Sequence, residues 1–185
     1  NNVKRSYTSG TPGLAVGAGN VPVIIDETAD LSAAAAKVTA SKTFDNATSC
    51  SSENALIILD EIWDNFIAAM SAEGGALVDD EATIVAALWP DGHLNRAVIA
   101  QDAEPMLAAL GMTDKVPADT KYLAVETTGI GPDHPLSGEK LSRVLALYRA
   151  RDFDDATAIA ARILDHQGAG HSIGLHSTDT DRAIT

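Results

Sequence analysis

Apolar positions along the chain fall into short β-type runs separated by stretches with helical spacing. Val21-Pro22-Val23-Ile24-Ile25, and before it Leu14-Ala15-Val16, read as extended segments broken by Gly17, Gly19 and Pro22. Asp30 is placed to cap an alanine-rich helix over residues 31 to about 42. Ala55-Leu56-Ile57-Ile58-Leu59 is a continuous apolar run of strand length, the pattern of a buried strand. Asp60 is placed to cap the next helix, whose face carries Ile62, Phe66, Ile67 and Met70 and whose stop is Gly74-Gly75. Residues 81–88 predict a helix halted before Pro90, and residues 104–110 another with Gly111 behind it. Tyr122-Leu123-Ala124-Val125 and Val144-Leu145-Ala146-Leu147-Tyr148 predict strands. The strongest helix covers residues 153–166, where Ala156, Ile159, Ala160, Ile163 and Leu164 form one stripe. A last strand is expected over residues 172–175. Gly129, Gly131, Pro132 and Pro135 mark residues 127–137 as a long loop. This alternation predicts an α/β fold with a largely parallel sheet.

Composition narrows the class. With 185 residues and 45% hydrophobic content, the chain can bury the core of one domain. No apolar run approaches the roughly 18 residues of a membrane span, and no secretory signal is visible, so no membrane partner is expected. The net charge is −13, from 13 Lys and Arg against 26 Asp and Glu. Such a surface repels phosphate backbones, and no nucleic-acid partner is expected. Aromatic residues make up only 4%, which with the abundant alanine favours helices on a sheet over a β-sandwich. Asn1 and the closing run Asp181-Arg182-Ala183-Ile184-Thr185 read as the ends of a fragment.

Cys50 is the only cysteine. It cannot form an intrachain disulfide, and it fits a reducing, cytoplasmic compartment. Three readings stay open for it: a small buried hydrophobe, an incidental surface thiol, or a nucleophile. Its neighbours, Ala47-Thr48-Ser49 and Ser51-Ser52, are small and mostly polar, and the apolar run at Ala55 follows closely. Gly17-Ala18-Gly19 lacks the third glycine of a dinucleotide fingerprint and continues into an extended chain, so a tight turn or close backbone approach is the better reading. Glu139 ends a loop leading into a strand, where a glutamate is most often simply solvated. His171 follows Gly168-Ala169-Gly170 and is expected to open the last strand. A lone histidine is usually structural, but these glycines permit close approach by another group. His93, His134, His166 and His176 show no metal-ligand spacing, so no metal is expected in this chain.

Five segments occur in a telling order: 15–22 (Ala-Val-Gly-Ala-Gly-Asn-Val-Pro), 25–30 (Ile-Asp-Glu-Thr-Ala-Asp), 41–46 (Ser-Lys-Thr-Phe-Asp-Asn), 139–142 (Glu-Lys-Leu-Ser) and 170–172 (Gly-His-Ser). Together they resemble the CoA-acylating branch of the aldehyde dehydrogenase superfamily. The nearest likeness is to the acetaldehyde dehydrogenase modules of bifunctional aldehyde–alcohol dehydrogenases and to acylating sulfoacetaldehyde dehydrogenases. The resemblance implies a three-layer α/β/α catalytic domain over residues 26–185, truncated at its C-terminus, with residues 1–25 ending a nucleotide-binding domain and crossover. It implies that Cys50 attacks an aldehyde and holds the resulting thioester. It assigns Glu139 to the ribose hydroxyls of NAD or NADP, places Gly17 and Gly19 on the cofactor side, and makes His171 an aid to CoA entry or proton transfer. A homo-oligomer is expected for the full-length protein, and the chain by itself is expected to be inactive.

Two departures from the family's patterns bear on chemistry. Hydrolytic members carry Glu-Leu-Gly-Gly, whose glutamate activates water. Val16 occupies that position here and cannot act as a general base. A thiol acceptor, CoA, is the expected alternative to water. Arg143 stands where proline usually follows Glu-Lys-Leu-Ser, which could alter the ribose-side loop or bring a cation towards an anionic group. Other readings are a hydrolytic aldehyde dehydrogenase, which needs a different base, and a non-catalytic assembly module of the same fold.

Overall fold

The computed structural model of the chain describes residues 2–13 and 18–183. In order these form helix α1 (Asn2–Thr8), β1 (Val21–Ile25), α2 (Leu31–Thr43), β2 (Glu53–Leu59), α3 (Trp63–Ala72) and β3 (Gly75–Val78). Then come α4 (Glu81–Leu88), α5 (Ala103–Ala109), β4 (Tyr122–Glu126), β5 (Val144–Ala150), α6 (Phe153–His166) and β6 (Gly174–His176). The expected strand Leu14-Ala15-Val16 lies outside the described residues.

The six strands make one sheet in the order β3-β4-β5-β2-β1-β6, with every ladder parallel. Parallel neighbours require crossover connections, and these are right-handed almost without exception. The connection from β1 to β2 crosses the sheet one way and that from β5 to β6 the other, so their helices fall on opposite faces. Accordingly α2 packs on α3, β2 and β4, while α6 packs on β1, β2 and β5. Covered on both sides, the β2 residues Ala55, Leu56, Ile57 and Ile58 are all 0% exposed. This is why the strand reads as an unbroken apolar run instead of an alternation.

Local signals set most helix starts. Asp30, Asp80 and Asp152 each accept a main-chain N–H three residues on, at 3.0, 3.0 and 2.8 Å. Caps of this kind contribute about 1 kcal/mol each. Asp60 departs from the expectation. It opens a short 3-10 turn, Asp60–Ile62, and α3 begins at Trp63 without a side-chain cap. Its carboxylate instead lies 3.8 Å from Arg149 of the neighbouring strand β5. Strand β3 was not expected, because four residues between Gly74 and an acidic pair give too short a period to register. The last strand forms two residues later than its apolar pattern suggested. Among the described residues no helix is long and apolar enough to cross a membrane.

Candidate active site

Four of the residues singled out in the sequence lie in segments leading into strands: Gly19 before β1, Cys50 before β2, Glu139 before β5 and His171 before β6. These four strands are successive neighbours in the order β5-β2-β1-β6. Their leading segments therefore converge at one edge, formed by the amino ends of the strands. Open parallel sheets usually gather ligands at the opposite, carboxyl edge, so topology alone would have pointed to the other side.

Cys50 is exposed, in a turn closed by the Ser52 N–H donating to the Ser49 carbonyl at 3.0 Å. Gly19 lies directly against it. A Cβ on Gly19 would sit 2.5 Å from the Cys50 carbonyl oxygen and 2.7 Å from the Cys50 Cβ. The glycine is needed for close approach between two main chains. Glu139 is half-buried and accepts a hydrogen bond from the Gly19 N–H. Burial raises its pKa, with the Gly19 bond, His171 and Lys140 opposing. The Glu139 N–H in turn donates to Gln167 Oε1 at 2.8 Å. His171 does not open a strand. It sits in the turn after α6, its N–H donating to the Gly168 carbonyl at 2.9 Å, and its Nδ1 is buried without a protein partner. The fold thus assembles Gly19, Cys50, Glu139 and His171, while Gly17 and Val16 lie outside the described residues.

The sequence model described as "Aldehyde dehydrogenase family" matches residues 5–122. The chain belongs to the aldehyde dehydrogenase family. It is 46% identical over 185 residues to an acylating sulfoacetaldehyde dehydrogenase of Cupriavidus necator, covering 99% of this chain and 38% of the relative. Among solved structures, an acetylating aldehyde dehydrogenase of Geobacillus thermoglucosidasius superposes with a TM-score of 0.91 at 32% identity, over 99% of this chain and 40% of that one. A propionaldehyde dehydrogenase of Rhodopseudomonas palustris, solved with bound CoA and an acylated cysteine, matches at 26% identity and a TM-score of 0.83, over 99% and 41%. The chain therefore spans about two fifths of the length of these relatives.

Within this family framework, the turn that delivers Cys50 is held by contacts that the sequence did not specify. Asp45, Asn46 and Ala47 all hold left-handed φ angles, of 47, 52 and 59°. Asp and Asn tolerate that region, whereas alanine there is strained by about 1–2 kcal/mol. Arg143 clamps this turn. Its Nη2 donates to Asn46 Oδ1, to the Asp102 carboxylate at 3.0 Å and to the Thr43 carbonyl at 3.5 Å. The cation that replaces the family's usual proline is thus spent on the approach to Cys50 and is answered by Asp102. Asn20 is fully buried, with Nδ2 donating to the Ser137 carbonyl at 2.8 Å and the Gln167 carbonyl at 3.1 Å. Neither Asn20 nor Gln167 is distinguishable by sequence from a solvated loop amide.

Two lysines are buried beneath the site. Lys140 Nζ donates to the Leu136 and Gly138 carbonyls at 2.7 and 2.8 Å, bracing the turn that precedes Glu139. Lys42, in the last turn of α2, donates to the Glu53 carbonyl at 2.7 Å. Burial pushes the Lys42 amine down to about 7. Since the unfolded chain then binds the extra proton between about 7 and lysine's ordinary value, this penalty is full below pH 7 and fades as pH rises. Lys42→Met in the intact protein should remove a stability slope of up to about 1.4 kcal/mol per pH unit across that window. Urea unfolding at pH 7 and 9 reads this directly, and identical slopes in variant and wild type would contradict it. Among the described residues no group of three or more His, Cys, Asp and Glu side chains gathers to hold a metal ion.

Proposed function

We propose that the intact protein is an NAD(P)-dependent, CoA-acylating aldehyde dehydrogenase in which Cys50 carries the acyl group. The observation that carries this reading is an exposed thiol packed on main chain beside a half-buried carboxylate. The Cys50 thiolate adds to the carbonyl carbon of a short aldehyde, such as acetaldehyde or sulfoacetaldehyde, to give a thiohemiacetal. The Cys50 main-chain N–H is a donor to the developing oxyanion. The nicotinamide nucleotide, when bound, supplies the acceptor for the hydride that leaves this carbon. Glu139 suits the ribose of that cofactor, because an ionised carboxylate only accepts and one Gly19 N–H leaves lone pairs for two hydroxyl donors. Its pKa is raised, so this contact is lost on acidification earlier than for an ordinary glutamate.

Cys50 is then a thioester. Attack by the CoA thiol forms the new C–S bond, breaks the bond to Cys50 and returns the thiolate. In this reading His171 takes the CoA proton. With valine at position 16, water has no activating carboxylate at the place hydrolytic members use. The acylated cysteine and CoA of the Rhodopseudomonas relative support the same chemistry here. A cytoplasmic setting, where the thiol stays reduced, and a homo-oligomeric full-length protein belong to this reading.

The test is an assay of the intact protein with aldehyde and NAD or NADP, with and without CoA. Sustained NAD(P)H formation should require CoA and match acyl-CoA mole for mole. Free acid made at the same rate without CoA would establish the hydrolytic reaction, and no turnover with any short aldehyde would favour a binding module.

A further inference from the structure

We propose that Asn54 is the positioning residue that fixes the nucleophile and the cofactor-side carboxylate relative to one another, an inference that rests on reading Cys50 as the nucleophile. Asn54 is the second residue of β2 and is only 4% exposed. It stands at an irregularity in the sheet. Val21 of β1 is paired with Glu53 and Pro22 with Ala55, so Asn54 has no partner on that side. Bulges of this kind re-aim a side chain next to functional sites.

The freed carboxamide binds three separate segments. Nδ2 donates to the Gly19 carbonyl at 3.1 Å and to the Ser52 carbonyl at 3.3 Å, and Oδ1 accepts the Lys140 N–H at 3.1 Å. Each partner adjoins a site group. Gly19 packs on Cys50 and donates its N–H to Glu139, Ser52 closes the Cys50 turn, and Lys140 follows Glu139. Asn54 therefore ties the leading segments of β1, β2 and β5 at one buried point. A carboxamide combines two donors on one atom with an acceptor on the other, whereas a carboxylate has no donor and a hydroxyl has one. Asn54 touches neither the thiol nor the carboxylate and acts through the main chain that carries them.

The test uses the intact protein with Asn54→Ala and Asn54→Asp, assayed at a temperature where circular dichroism shows each variant folded. Asn54→Asp fills the same space and keeps the acceptor for Lys140, but as a carboxylate it has no donor for the Gly19 and Ser52 carbonyls. Both variants should lower kcat for acyl-CoA formation by about tenfold or more, as a misplacement of even an ångström does. They should also raise KM for the nicotinamide nucleotide several-fold and change the iodoacetamide alkylation rate of Cys50 by more than about threefold. A merely structural asparagine would lower the melting temperature and leave all three quantities within about twofold of wild type, which would overturn the proposal. If Asn54→Ala fails to fold, the isosteric Asn54→Asp carries both outcomes. Failure of the underlying reading is separately visible, because a Cys50→Ala protein would then retain its rate.

Discussion

Cys50→Ala in the intact protein is expected to lower aldehyde- and CoA-dependent NAD(P)H formation by about 10⁴-fold or more. In the proposed reaction the thiol both forms the bond to the aldehyde and holds the acyl group for transfer, and removing such a nucleophile costs about the whole covalent pathway. Stability should barely move. Cys50 is exposed, and surface substitutions away from special features stay within about 0.5 kcal/mol. Activity and melting temperature are the paired measurements, with mass spectrometry of the aldehyde-treated protein as a third. The acyl adduct should appear on the wild-type peptide containing Cys50 and be absent from the variant. A variant that retains a tenth of the wild-type rate would mean that another group is the nucleophile.

Gly19→Ala should produce the second-largest loss, and by a different route. The added methyl would lie 2.5 Å from the Cys50 carbonyl oxygen, 2.7 Å from its Cβ and 2.8 Å from its Cα. None of these is the far end of a flexible side chain. Relief requires the main chain at 19 or at 50 to move, and the Asn54 bond to the Gly19 carbonyl resists the first. A displacement approaching an ångström lowers kcat/KM by about 10²-fold. Overpacking of this sort destabilises by about 1–3 kcal/mol. The Gly19 N–H also serves Glu139, so KM for the nicotinamide nucleotide should rise together with the fall in kcat. Kinetics within twofold of wild type would show that the contact between the two segments is not rigid.

Much of the architecture was legible because its causes are local. Helix α6 reads from residue 153 to 166 because a one-sided apolar stripe runs along it, and α4 reads from 81 to 88 because Pro90 halts it just beyond. The central strands were legible because a strand covered on both faces must be apolar throughout. Where the reading failed, a non-local contact decided. Asp60 has the residue type of a cap, but its carboxylate faces Arg149. Strand β3 forms because the neighbouring β4 pairs with it, which four residues cannot announce. His171 was expected at a strand start and instead lies three residues ahead of β6.

The sequence by itself determined the residue types of the candidate chemistry. It supplied one thiol in a polar turn, a glutamate ahead of a strand, a histidine among glycines and a valine at the place of the hydrolytic glutamate. Only the tertiary structure decided that the thiol, the glutamate and the histidine come together. Residues 19, 50, 139 and 171 are far apart along the chain, and they meet because β5, β2, β1 and β6 lie side by side with all their amino ends on one edge. It also decided the fate of polar side chains that look alike in sequence. Lys42, Asn20 and Asn54 are buried and committed to main-chain partners, whereas similar residues elsewhere are solvated. Burial of a polar group depends on which segments arrive around it, and pairing between distant strands sets that arrival.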